Sequence, residues 1–167
     1  MDYALFLRGI NVGGVRMAMP ELREVLDRAG LAEVRTYLNT GNVTFGSTKS
    51  VVQVERLVAT TLADAFDYTA ALYLLPHDRL AVVVAGYPFD TDDDHHRYAI
   101  FCDDADTVTE LAAAAGGQDE VAAGDGVVYW KCPKGQTLKT PFSTVLTKPR
   151  FRASTTNRNL NTVEKML

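Results

Sequence analysis

Arg8-Gly9-Ile10-Asn11-Val12-Gly13-Gly14 gathers a guanidinium, an amide and three glycines into seven residues. Glycine has no Cβ, so backbone N–H groups in such a loop approach an anion closely, and a guanidinium adds a fork of charged donors suited to phosphate or carboxylate. The loop lacks the Lys-Ser/Thr ending of a P-loop and the spacing of the G-x-G-x-x-G fingerprint. A second cluster, Asn39-Thr40-Gly41-Asn42, carries similar chemistry, and a third, Ser154 to Thr162, packs hydroxyls, amides and Arg158 into nine residues. Each has a plainer use as well: Gly and Asn favour tight turns, and Asn159 or Asn161 suits a helix cap.

The elements around these clusters decide whether they meet. Tyr3 to Leu7 is a short apolar run closed by the Gly-rich loop, as a buried strand should be. Pro20 at a first helical turn, then Leu22, Val25, Leu26 and Ala29 with Gly30 as a stop, specify an amphipathic helix. Val34 to Leu38 and Val43 to Phe45 read as a hairpin around the second cluster, Val54 to Ala65 as a helix, and Ala70 to Leu75 as a strand. The order is βαββαβ, the ferredoxin-like arrangement. In that sheet the first and third strands are antiparallel neighbours, so Thr40, Gly41 and Asn42 should lie beside Arg8 and Asn11.

The second half is expected to form another α+β unit. Its elements are a helix over 78–85, a strand at Tyr98 to Cys102, a helix over 108–115 and a hairpin around Gly124-Asp125-Gly126. A helix over 142–147 ended by Pro149, an extended piece and a final helix over 160–167 complete it. The fold class is α+β, two ferredoxin-like (α/β plait) subdomains over 1–76 and 77–167.

The 167 residues, 47% hydrophobic and 23% charged, have the composition of a globular protein and exclude a disordered or fibrous chain. No apolar run exceeds six residues, far below the roughly 20 of a membrane-spanning helix. With no basic leader before Tyr3, and with Cys102 and Cys132 outside any CxxC pair, the expected location is the cytoplasm, with both thiols buried. Charge is uneven: residues 131–167 hold eight basic side chains against the single acid Glu164, a net of +7. The remaining residues carry −11. The basic segment meets either an external anion or the chain's own acids between Asp90 and Asp125.

Other groups carry less. Asp90, Asp92, Asp94, His95 and His96 lack the EF-hand pattern and read as a solvated loop, and Trp130 reads as core. There is no Ser-His-Asp spacing, H-E-x-x-H, nucleophile elbow or paired-Cys zinc pattern. No metal and no cofactor is expected, catalytic residues are unassigned, and enzyme status and oligomeric state stay open.

LFLRGINVGG, MPELREVL, VRTYLNTGNVTF and TTNRNLNTVEKM together resemble the bacterial domain of unknown function 1697 family along nearly the whole chain. The resemblance implies two ferredoxin-like subdomains and brings no activity, substrate or catalytic residue. Where that family commonly has Thr-Thr-Arg-Asn-Trp-Asn, this chain has Leu160 in the aromatic's place.

The leading expectation is a small anionic ligand, phosphate- or carboxylate-bearing, held between the subdomains by Arg8, Asn11, Gly13, Gly14, Thr40, Asn42 and Arg158. The first alternative is RNA or single-stranded nucleic acid. Leu5 to Ile10 resembles the first strand of an RNA-recognition sheet, and Phe6 and Phe45 would be its stacking residues; burial of both would remove the platform. The second alternative is a protein-interaction scaffold with pairing acidic and basic halves.

Overall fold

The computed structural model of the chain describes residues 1–11, 14–69, 71–115 and 119–167. They divide into two units, Met1–Leu80 with Lys165–Leu167, and Ala81–Glu164. The sequence sets the join at residue 76.

The first unit runs β1 (Asp2–Leu7), α1 (Met19–Arg28), β2 (Ala32–Tyr37), β3 (Asn42–Gly46), α2 (Val51–Phe66) and β4 (Leu72–Pro76). Its sheet order is β2-β3-β1-β4, every neighbour antiparallel. Pro20 opens α1 and Gly30, at φ +88°, follows its end. A capping box opens α2: the Ser50 hydroxyl accepts from the Gln53 N–H, and the Gln53 side chain accepts from the Ser50 N–H. Alternation along β1 sends Tyr3, Leu5 and Leu7 into a core with Leu22 and Leu26 of α1 and Val54, Val58 and Leu62 of α2. Ala4 and Phe6 take the other face of the sheet.

The second unit repeats the plan with β5 (His95–Cys102), α4 (Ala105–Ala113), β6 (Glu120–Ala123), β7 (Val127–Pro133), α5 (Pro141–Leu146), α6 (Pro149–Ser154), β8 (Thr155–Asn159) and α7 (Leu160–Glu164). Its order, β6-β7-β5-β8, is that of the first sheet with each strand replaced by its counterpart. A further helix, α3 (Asp78–Ala85), crosses the division between the units. Both units are ferredoxin-like, as the element order predicts.

Trp130 is fully buried between Tyr98 and Phe142, with ring centroids 5.2 and 5.3 Å away. Asp119 ties this core together: its carboxylate accepts from the Trp130 indole N–H at 3.2 Å and from the Phe142 backbone N–H at 2.9 Å. Thus one side chain at the mouth of β6 anchors both β7 and the start of α5.

Three local expectations are corrected. Pro149 does not simply end a helix; it starts α6, because its fixed φ and missing N–H suit a first helical turn. His95 and His96 are not in a loop but open β5, paired with Pro133 and Cys132. The last helix stops at Glu164 rather than reaching residue 167. Ala70, the expected first residue of β4, lies outside the described residues.

Candidate ligand-binding site

The antiparallel pairing of β1 with β3 ends at Phe6↔Asn42 and so brings the loop after β1 beside the turn before β3. The Leu7 N–H donates to the Gly41 carbonyl at 2.8 Å, and the Asn11 amide donates to the Asn39 carbonyl at 2.9 Å. The two Gly/Asn segments therefore converge, as the topology predicts.

Arg8 sits where β4 gives out. The β1–β4 ladder ends at Leu7↔Leu72, and one residue on the Tyr68 hydroxyl takes the place of a strand partner. It accepts from the Arg8 N–H and donates to the Arg8 carbonyl, both at 2.8 Å. Tyr68 is anchored in turn by its buried ring in the core. The backbone of Arg8 is fixed on both groups, and its side chain is half-buried.

Asn11, at φ 56°, is a brace. Its Nδ2 donates to the Met17 and Asn39 carbonyls and its Oδ1 accepts from the Met17 N–H, each at 2.9 Å. Both amide protons are thus spent on backbone. Asn42 is fully buried, and its Nδ2 donates to the Tyr37 carbonyl at 3.0 Å and the Thr40 hydroxyl at 2.8 Å. A carbonyl only accepts, which fixes the amide orientation and leaves Oδ1 buried with no hydrogen-bond partner among the described residues. Asn42 therefore presents an acceptor, not a donor.

The glycines are needed by the fold itself. A Cβ on Gly14 would come within 2.3 Å of the Gly9 carbonyl oxygen. One on Gly41, whose φ is +74°, would come within 2.6 Å of the Leu7 Cβ. Gly9, at φ +67°, is exposed and has open space where a Cβ would stand. Gly13 lies outside the described residues. The donors open to an external anion are consequently fewer than the composition of the loops implies, and Arg8 is the only cation among the expected residues of this unit.

Arg158 belongs to the second unit, on β8 opposite Ala99 of β5. It is buried, and its Nη2 donates to the Thr156 hydroxyl at 3.2 Å. Asn159 caps α7, its side chain accepting from the Asn161 N–H at 2.9 Å. The basic segment also meets the chain's own acids within this unit: Lys131 pairs with Asp92 at 2.8 Å, and Arg150 with Glu110 at 3.2 Å. The Lys131 ammonium and the His95 ring hold Asp92 well below the usual carboxylate range, and the same contact raises Lys131.

Phe45 packs against Tyr3 in the core at a centroid distance of 5.9 Å and is 2% exposed; Phe6 is 0% exposed. The aromatic platform that base stacking on this sheet would need is buried. No helix among the described residues is long and apolar enough to cross a membrane.

The family described as "Protein of unknown function (DUF1697)" matches residues 1–129. Among solved structures, the chain is similar to conserved bacterial protein SP0830 from Streptococcus pneumoniae, with a TM-score of 0.83 and 27% identity over 99% of this chain and 95% of that one. No curated protein matches. The family match takes in the Arg8 loop, the Asn42 turn and Tyr68, together with the second unit as far as β7: this chain belongs to the DUF1697 family.

Proposed function

We propose that the first unit binds a small anionic ligand, bearing phosphate or carboxylate, with Arg8 as its anchor and with Gly9 and Thr40 at its rim. The observation that carries this is the double hydrogen bond from Tyr68 to the backbone of Arg8. Fixing the Arg8 backbone sets the point from which its side chain projects, and a guanidinium is the side chain best matched to a forked oxyanion. The Asn11 brace and the close fit of Gly41 on Leu7 keep the flanking backbone fixed. The proposal is of binding, with no reaction assigned.

A thermal-shift titration of the full chain with inorganic phosphate, AMP, citrate and a short single-stranded RNA tests it. A ligand at a hundred times its Kd stabilises by about 2.7 kcal/mol, an easily read upshift. The expected result is an upshift with phosphate, AMP or citrate in the wild type that Arg8→Ala abolishes. Equal shifts in wild type and Arg8→Ala would overturn the assignment to this loop, and no shift at all would leave a protein partner as the better hypothesis. Arg158→Ala is a separate arm of the same titration.

A further inference from the structure

At the other end of the first sheet, away from Arg8, lies a cavity of about 360 Å³ lined by charged and polar groups of both signs. Asp2, Glu33 and Arg35 contribute two carboxylates and a guanidinium, Tyr37 and Thr44 two hydroxyls, and His77 an imidazole. They are spread across four segments of the chain, so no local motif marks them.

Asp2, Glu33 and Arg35 make no side-chain hydrogen bond or ion pair with one another or with any other described residue, although the same cavity collects them. Opposite charges that line one space without meeting offer a partner for each sign of a guest that carries both. The backbone supports that arrangement. Glu33 stands in the left-handed region at φ 50°, inside the bulge that shifts the β2–β3 register between Ala32 and Arg35. Non-glycine residues seldom stand there, and bulges serve to re-aim side chains.

Two further groups have spare hydrogen-bonding capacity of opposite kinds. The Tyr37 and Thr44 hydroxyls lie 3.2 Å apart, so one donates to the other and the acceptor's own proton is left over, in the strand pair that also sets Arg35 opposite Thr44. That proton and the guanidinium suit a carboxylate. The His77 Nε2 lies 2.7 Å from the Met166 carbonyl and must donate to it, which leaves Nδ1 of the neutral ring as an acceptor. That lone pair, with Asp2 and Glu33, suits an ammonium. Phe45, Met166 and Leu167 add apolar wall.

The geometry points to a binding site for a zwitterion, a free α-amino acid with an apolar side chain, in this cavity of the first unit. It is distinct from the Arg8 loop and stands or falls separately from it.

The test uses the ¹⁵N-labelled full chain titrated with three probes: L-leucine, leucinamide, which lacks the carboxylate, and 4-methylpentanoate, which lacks the ammonium. The expected result is saturable amide shifts from L-leucine centred on residues 32–37, 42–46 and 77. Each truncated probe should bind about tenfold more weakly, the loss of one charge-assisted contact. Arg35→Gln should weaken L-leucine and 4-methylpentanoate but leave leucinamide unchanged, and Glu33→Gln should do the reverse for the ammonium. Both side chains are exposed, and the variants' own spectra confirm their folding. Shifts that fail to saturate, equal affinity for all three probes, or indifference to both variants would overturn the proposal.

Discussion

The Tyr68 hydroxyl holds Arg8 by both of its backbone groups, accepting from the N–H and donating to the carbonyl at 2.8 Å each. It stands 60 residues away in sequence, just past the end of α2, and completes the β1 ladder where β4 is too short to do so. Tyr68→Phe keeps the buried ring and deletes this clamp. Leaving one N–H and one C=O with poorer partners at a partly buried site costs about 1–3 kcal/mol. Urea denaturation should show that loss with an unchanged m-value. If Arg8 anchors an anion, the variant should also weaken phosphate binding while Arg8 itself is intact.

Gly41 and Gly9 separate two uses of glycine. Both have positive φ, +74° and +67°, but only at Gly41 would a Cβ strike side chains, those of Leu7 and Ile10. Gly9→Ala should therefore cost only the left-handed strain, about 1–2 kcal/mol. Gly41→Ala should cost that plus an overpacking penalty of about 1–3 kcal/mol. Equal midpoints for the two variants in the same urea titration would contradict the contact of Gly41 with β1.

Much of this fold is visible in local signals. Pro20 and Gly30 bracket α1, the Gly124-Asp125-Gly126 turn joins β6 to β7, and the βαββαβ order brings the Asn42 turn to the Arg8 loop without further information. What escaped depends on partners distant in sequence. Polar His95 and His96 look like loop residues until β7 pairs with them. Pro149 carries the same letter whether a helix stops or starts there, and only the chain after it decides. At the candidate site, residue types revealed the chemistry but not its allocation. The amide protons of Asn11 and Asn42 are consumed by backbone and Thr40, and the space beside Gly14 and Gly41 is taken by the chain itself. The Tyr68 clamp had no sequence signal at all, because a hydroxyl standing in for a strand residue is a tertiary event.

The Asp92–Lys131 contact predicts a pH window. Hydrogen bonds from Lys131 and then His95 depress Asp92 below its ordinary value of 3.8, so its contribution is present above that value and lost as pH falls through the lower folded one. Lys131 is raised above its ordinary 10.5, chiefly by the bond to Asp92, so its contribution is present below 10.5 and lost as pH rises through the higher folded value. Asp92→Asn should lower the melting temperature at pH 7, by an amount that salt reduces because the carboxylate is exposed. The gap to wild type should narrow as pH drops below about 4, where Asp92 takes up its proton in the unfolded chain while the folded carboxylate is still ionised. A gap that stays constant from pH 7 to pH 2 would show that Asp92 acts through something other than its charge.

The two thiols should be silent in the folded protein. Cys102 and Cys132 are buried thiols outside any disulfide, and burial pushes the Cys102 thiol up to about 12 and raises Cys132 as well. Only the thiolate is nucleophilic, and it is disfavoured at both positions. A disulfide-exchange reagent at pH 8 should therefore titrate no thiol in buffer and two in denaturant. The same shift has a stability consequence. A raised folded value means the contribution of Cys102 is complete below its ordinary 9.0 and declines as pH rises from there towards about 12. Cys102→Ser would put a hydroxyl in the same apolar surroundings; Cys102→Ala avoids that and should flatten the alkaline decline, whereas an unchanged alkaline slope in Cys102→Ala would assign that decline to other groups.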